Sequence, residues 1–172
     1  MRDVWDDPGM EPRWLDDDEM RTWLQVIALA EVLPARLDAQ VRQDSGLTHF
    51  EYQVLAMLSE APERTLRMSW LARRANSTLP RLSHVVKRLE DRGLVSRSRS
   101  DLDARATDAV LTDEGWAKIV SAAPHHVSFV REHVLDQLTP DQVRALGEIA
   151  GAVLRSLDPS GDLTMRAADA PH

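Results

Sequence analysis

The chain has 172 residues, enough for one domain with its own core, and a net charge of -7 from 21 basic and 28 acidic residues. It contains no cysteine, which excludes disulfides, thiolate metal sites and a thiol redox switch. The N-terminus is acidic and no apolar run exceeds Val26 to Ala30, so the chain reads as a soluble, cytoplasmic protein with no membrane span.

Residues 1–15 hold Pro8, Gly9, Pro12 and several acids without periodicity, and read as a flexible acidic arm whose Trp5 and Trp14 suit docking on a partner subunit. In segment 16–47, Asp16 to Glu19 put negative charge at a helix start. Met20, Trp23, Leu24, Ile27, Leu37 and Val41 then form the apolar face of a helix reaching about Gln43. Pro34 is expected to kink it.

Thr48 and Glu51 have capping-box spacing, which predicts a helix from about His49 to Ser59 that buries Phe50, Val54, Leu55 and Leu58. Thr65 to Arg67 follows as a short strand, and Ser69 to Ala75 as a helix burying Met68, Leu71 and Ala72. Asn76 and Ser77 make a turn, Thr78 caps the next helix, Pro80 is tolerated in its first turn and Gly93 is its left-handed stop. Val95 to Arg99 and Ala106 to Leu111 read as two strands joined by the polar loop Ser100 to Arg105. The order is helix, turn, helix, hairpin, and segment 48–111 is predicted to be a winged helix-turn-helix.

Segment 112–157 should hold two further helices. Thr112, Asp113 and Glu114 open the first, with Trp116, Ile119, Val120, Val127, Val130 and Val134 apolar and Pro124 expected to bend or break it. Thr139-Pro140-Asp141-Gln142 opens the second, and Val143, Leu146, Ala150, Val153 and Leu157 follow at nearly heptad spacing, with Ile149 and Leu154 widening the stripe. Residues 158–172 turn polar and read as a disordered tail. The fold class is thus mainly α with a small β-wing, flanked by N- and C-terminal helices.

Charge is unevenly spread along these elements. Residues 64–105 hold eleven Arg or Lys against four Asp or Glu, while the rest of the chain holds ten against twenty-four. The field at a contact surface matters more than the total, so an acidic protein can still present a basic face to nucleic acid. Leu79, Leu82, Val86 and Leu89 make one stripe of the second helix of the pair, with Val85 at its edge. Pro80, His84 and Lys87 stand opposite the stripe, and Arg81, Ser83 and Arg88 flank it. A helix apolar behind and basic in front suits a DNA major groove. Ser77 and Thr78 are further contact candidates, as are Arg73 and Arg74 on the preceding helix and Arg99 on the hairpin. By angle, Pro80 can touch a thymine methyl and His84 and Lys87 can reach base acceptors, while Arg81 and Arg88 are placed for phosphates.

The run RLEDRGLV (Arg88 to Val95), the loop triplet Asp103-Ala104-Arg105 and the junction Val110-Leu111-Thr112-Asp113-Glu114-Gly115 resemble the MarR family of bacterial transcription regulators over residues 17–157. The resemblance implies a homodimer whose first and last two helices form the dimer base, each subunit presenting one winged helix to double-stranded DNA at a pseudo-palindromic operator. It also places Arg105 where the family's minor-groove arginine sits, with Asp103 orienting it. Many members have arginine where Ala104 stands, which removes one phosphate contact.

The family often binds small aromatic or anionic effectors where the dimer helices meet the DNA-binding lobe, and Trp23, His49, Trp70 and Trp116 are the candidates for such a crevice. Each is more readily explained as core, since a buried tryptophan at helical spacing needs no other explanation. His125, His126 and His133 lack a carboxylate that would complete a ligand set, so neither a metal nor another cofactor is expected. Ser83, His84 and Asp91 share one exposed helix with no oxyanion hole, so the chain is not read as an enzyme. Two other readings stay open: a constitutive or architectural DNA-binding protein, and a winged helix used for protein contact.

Overall fold

The computed structural model describes residues 12–99 and 106–169. In chain order it contains α1 (Asp17–Ser45), α2 (His49–Glu60), β1 (Thr65–Arg67), α3 (Met68–Arg74), α4 (Leu79–Asp91), β2 (Val95–Arg99), β3 (Thr107–Leu111), α5 (Asp113–His133) and α6 (Pro140–Leu157). Short 3₁₀ turns lie at Pro62–Arg64, Leu135–Gln137 and Ala167–Asp169. The chain divides into two compact units, Met1–Ala35 and Arg36–His172.

In the first unit, Asp16 Oδ1 accepts the amides of Asp18 and Glu19 at 2.9 and 2.8 Å, and Glu19 Oε2 accepts the Asp16 amide at 3.0 Å. This fixes the start of α1 where the acidic run predicted it. Met20, Trp23, Leu24, Val26, Leu29 and Val32 are all exposed. The helix continues through Pro34 to Ser45, and α5 likewise continues through Pro124, so the break anticipated at Pro124 does not occur. Both prolines are exposed, and the carbonyl each leaves without its helical partner can turn to water.

The second unit holds the core. Leu47, Leu55, Leu58, Leu71, Leu82, Leu89, Val54, Val86 and Val95 are fully buried there. The three strands order as β1-β3-β2, all antiparallel, with Val95 opposite Leu111, Arg99 opposite Thr107 and Thr65 opposite Val110. Caps form where the sequence places them: Thr48 with Glu51, Thr78 on the Arg81 amide, Thr112 on the Gly115 amide and Thr139 with Gln142.

Gly93 adopts φ +72, and the amides of Gly93 and Leu94 return to the carbonyls of Glu90 and Leu89, each at 2.9 Å. That left-handed closure turns the chain from α4 into β2. Gly115 is needed for a different reason, since a Cβ there would lie 2.0 Å from the Leu94 carbonyl oxygen. Thr112 Oγ1 donates to the Gly93 carbonyl at 2.7 Å, so the hairpin's exit is sewn to its entrance.

Two features depart from expectation. Leu79, assigned to the buried stripe of α4, is 47% exposed, while Val85 from the stripe's edge is buried. Leu79 is the first helical residue after the Thr78 cap, where the chain has not yet turned onto the core. The segment after α6, expected to be disordered, folds back instead. Ala167 is buried, Met165 packs on the core, and Arg74 Nε donates to the Met165 carbonyl at 2.7 Å. Polar composition misled because the segment satisfies its own backbone: Asp158 accepts the Leu163 amide at 2.9 Å and the Ser160 hydroxyl at 2.7 Å. By contrast, α6 itself buries no residue.

Candidate nucleic-acid interface

Among the described residues, α3 and α4 with the turn between them form the helix pair that the sequence predicts. Asn76 takes the left-handed conformation at φ 45, which asparagine tolerates, and the Ser77 amide bonds the Ala72 carbonyl at 2.9 Å. This reverses the chain in four residues and drives Leu82, Val85, Val86 and Leu89 of α4 into the core. Pro80, His84 and Lys87 are left on the open face. Thr78 is exposed and serves as the cap, while Ser77 and Ser83 are half-buried beside it.

The flanking cations are more engaged than the sequence implied. The Arg81 guanidinium lies 5.1 Å from the centre of the Phe50 ring. Arg88 and Arg92 both face Glu51, at 3.4 and 3.7 Å. Lys87 pairs with Asp91 one turn along the same helix. Arg97 on β2 makes two bonds to Glu90 of α4, at 3.2 and 2.7 Å, which hold that carboxyl below the usual carboxylate range and tie the hairpin to the helix.

Arg73 and Arg74, taken as candidates for DNA contact, both hold the C-terminal segment. Arg73 pairs with Asp162 at 3.0 Å, and Arg74 bonds the Met165 carbonyl. Arg99 is exposed at the end of β2. Asp103 and Arg105 lie outside the described residues. The structure therefore gathers Ser77, Thr78, Pro80, Arg81, Ser83, His84, Lys87 and Arg88 around α4, while Arg73 and Arg74 on α3 also hold the C-terminal segment. Sequence reasoning missed Arg92 and the second role of Glu51, since the capping-box pattern shows only one of that carboxylate's partners.

Three crevices border this region. One of about 370 Å³ lies between Arg67, Leu79, Ser83, Arg97 and Thr107. A second, of about 350 Å³, lies between Asp38, Arg42, Phe50, Arg81 and Arg88. A third, of about 420 Å³, is lined by Tyr52, Met57, Glu60, Arg74 and Leu163. None of them is lined by His49, Trp70 or Trp116. Trp70 is 2% exposed in the core, and Trp116 lies under the Arg64 guanidinium at 4.2 Å. Arg64 reaches it from a strained left-handed turn, with φ of 49 at Glu63 and 52 at Arg64, and also pairs with Asp113 at 3.0 Å. Trp23 is an exposed residue of α1.

His49 sits beside His126, with ring centres 5.7 Å apart, and Tyr52 stands 4.4 Å from His126. Burial lowers the pKa of both histidines. Asp38 partly offsets this for His49, and His49 adds to it for His126. The other two histidines of the sequence cluster do not join them: His133 stacks on Phe129 at 4.2 Å and His125 is exposed. Among the described residues no group of three or more His, Cys, Asp or Glu is arranged to hold a metal.

A basic helix packed on the core after a second short helix, with an antiparallel hairpin following it, defines a winged helix-turn-helix protein. Residues 45–106 match the model of the MarR family. The chain is 37% identical over 99 residues to the HTH-type transcriptional repressor Mb2911 of Mycobacterium bovis, spanning 58% of this chain and 69% of that protein. It is 30% identical over 107 residues to the HTH-type transcriptional repressor YetL of Bacillus subtilis, spanning 60% of this chain and 64% of the relative, which is a little under two thirds of YetL's length. In structure it is similar to Sco3205 of Streptomyces coelicolor, a MarR family transcriptional regulator crystallised in complex with DNA. That likeness has a TM-score of 0.83 at 45% identity and covers 87% of this chain and 94% of the other. The chain belongs to the MarR family of transcriptional regulators, whose winged-helix fold it shares. No helix among the described residues is long and apolar enough to cross a membrane.

Proposed function

We propose that the protein is a homodimeric repressor that occupies a pseudo-palindromic operator, with α4 in the major groove and Arg105 in the adjacent minor groove. The observation that carries this reading is the division of α4: Leu82, Val85, Val86 and Leu89 are buried while Pro80, His84 and Lys87 are exposed on the opposite face. Base edges are read by side chains so displayed, and phosphates by the cations flanking them. The DNA complex of Sco3205 and the repressor relatives support the same assignment.

Dimerisation rests on the apolar side chains left uncovered outside the lobe. Val120 and Val127 of α5 are exposed, as are Leu146, Ile149, Val153 and Leu157 of α6, and so are Trp23, Leu24, Leu29 and Val32 of α1. Apolar surface of this extent on a single chain calls for a partner, and a second copy supplies the same faces by symmetry. In this reading 16–47 and 112–157 are the dimerisation segments and 48–111 the DNA-binding lobe. Release by a small aromatic or anionic effector belongs to the same proposal. Its support is the cluster of half-buried His49 and His126 with buried Tyr52 between α2 and α5, where a ligand would meet both segments.

Selection of bound duplexes from a random pool tests the function. The expected result is an inverted repeat with half-sites about one helical turn apart, roughly 34–36 Å. Enrichment of no sequence refutes sequence-specific regulation, and a single unrepeated site refutes the symmetric dimer.

A further inference from the structure

Among the described residues Glu51 is the one charged side chain that is buried, at 5% exposure. It is also fixed in place. Its Oε2 accepts the Thr48 amide at 2.8 Å while the Glu51 amide donates to Thr48 Oγ1 at 3.0 Å, so the carboxylate is part of the cap that starts α2. From that fixed point it faces two cations of another element. Oε1 is 3.4 Å from Arg88 in the last turn of α4, and Oε2 is 3.7 Å from Arg92, the residue that closes α4. Arg92 further donates to the Gly46 carbonyl at 3.4 Å, between α1 and α2.

Both arginines remain part-exposed, with 47% and 38% of their side chains open. A guanidinium has five donors in a rigid fork, so one edge can meet a buried carboxylate while another meets a phosphate. An arginine tethered in this way gains a phosphate only where the duplex lies in one position relative to α4. An untethered arginine finds phosphate in any register and adds affinity without discrimination.

We propose that Glu51 is a positioning residue for DNA recognition. It pins Arg88 and Arg92 at the C-terminal end of α4, so that phosphate contacts form only in the register in which His84 and Lys87 face base edges. This inference rests on the reading of α4 as the recognition helix.

Glu51→Gln separates the roles of the carboxylate. Glutamine keeps an oxygen that accepts the Thr48 amide, as capping boxes allow, but removes the charge that holds the arginines. Affinity is measured by fluorescence anisotropy on the selected operator and on a scrambled duplex of the same length, at several salt concentrations. The ratio of the two affinities is expected to fall on the order of tenfold, as for a residue that acts on binding without touching the ligand. Binding to the scrambled duplex should tighten, with a salt slope steeper by about 0.9 for each phosphate gained.

Partial unfolding alone, or the loss of one negative charge alone, moves both affinities in the same direction and leaves their ratio in place. A ratio unchanged by Glu51→Gln therefore overturns the proposal. The substitution is repeated in an Arg88→Ala, Arg92→Ala background, where it should no longer alter the ratio. An equal fall in both backgrounds also overturns the proposal, because Glu51 would then not act through the arginines. Should Glu51→Gln not fold by circular dichroism, the double arginine variant decides. A fall in ratio supports positioning, and equal losses on both duplexes refute it. Wild-type protein that prefers no duplex topples the recognition-helix reading itself, and this inference with it.

Discussion

α4 and α6 are both amphipathic helices of the same unit, yet α4 buries four apolar side chains and α6 buries none. The difference lies in what surrounds each. Sequence neighbours fold directly against α4: α2, α3 and the strand β2, into which Gly93 turns the chain. α6 comes after the hairpin has closed and the lobe's core is filled, and Ile149 on its stripe is 63% exposed. An apolar stripe states that a face must be covered, and the topology decides whether its own chain can cover it.

The largest expected effects test this contrast directly. Leu82→Ala deletes a fully buried side chain of α4 and should cost about 2–5 kcal/mol of folding stability in urea or guanidinium titrations. Ile149→Asp on α6 should leave the folding of the lobe intact by circular dichroism but convert a sedimenting dimer to a monomer. Operator binding would be lost with it, since a central apolar contact of an interface contributes about 2 kcal/mol or more. A full-length wild-type protein that sediments as a monomer removes the partner from the argument and leaves the α6 stripe without an explanation.

The same contrast marks what was legible in the sequence. Caps at Thr48, Thr78, Thr112 and Thr139 and the stop at Gly93 are local chemistry between residues a few positions apart, and they stand where the pattern puts them. The burial of Val85 in place of Leu79 turns on the entry angle of α4, which a periodicity cannot fix. The pairing of Arg88 and Arg92 with Glu51, and of Arg73 with Asp162, joins positions far apart in sequence. A helical wheel can therefore show that a cation stands on the flank of α4 but not which carboxylate meets it. Pro124 misled for a related reason: the cost of a proline depends on whether water reaches the carbonyl that it frees.

On the covered side, the open face of α4 carries the next effect in size. Lys87→Ala and His84→Ala should each cost about 1–3 kcal/mol of discrimination at particular base pairs if the contacts are direct. The Lys87–Asp91 pair is exposed and contributes little, so the lysine is available to DNA. Binding to single-base operator variants reads the outcome. A preference profile unchanged by both substitutions would move the reading face elsewhere on the helix.

Between the covered lobe and the open helices lies the cluster of His49, Tyr52 and His126, which makes the contrast depend on pH. Burial lowers both histidine pKa values, so the unfolded chain takes up protons that the folded chain resists. The stability from the two neutral rings is full above about pH 6.5, the usual histidine value, and is lost as pH falls through their lowered folded values. Asp38 is held below the usual carboxylate range by its bond from Arg42 and by the His49 amide, so it adds a further loss only at lower pH. Urea midpoints should fall from pH 7.5 to 5, and His126→Phe, which keeps a ring against Tyr52 without a proton site, should flatten that fall. An equal slope in both proteins would place the acid sensitivity outside this cluster.

The smallest effect concerns the segment after α6, where the chain returns from an uncovered helix to the covered lobe. Three contacts hold it: the Arg73–Asp162 pair, the bond from Arg74 to the Met165 carbonyl, and the burial of Ala167 with Met165 packed beside it. Arg73 is about half exposed, so its ion pair is worth at most about 1 kcal/mol and less at high salt. Asp162→Asn should therefore barely move the melting temperature. Met165→Ala, which removes apolar packing on the core, should lower it more clearly. The ion pair has a second consequence, because the Asp162 carboxylate competes with phosphate for the half-exposed Arg73 and sets a negative charge beside it. Asp162→Asn should then tighten binding to any duplex by a small factor, equally for operator and scrambled DNA, and the excess should vanish when Arg73→Ala is added. If Asp162→Asn lowers stability as much as Met165→Ala, the segment is held by charge, and the polar composition of 158–172 described its anchoring better than the packing does.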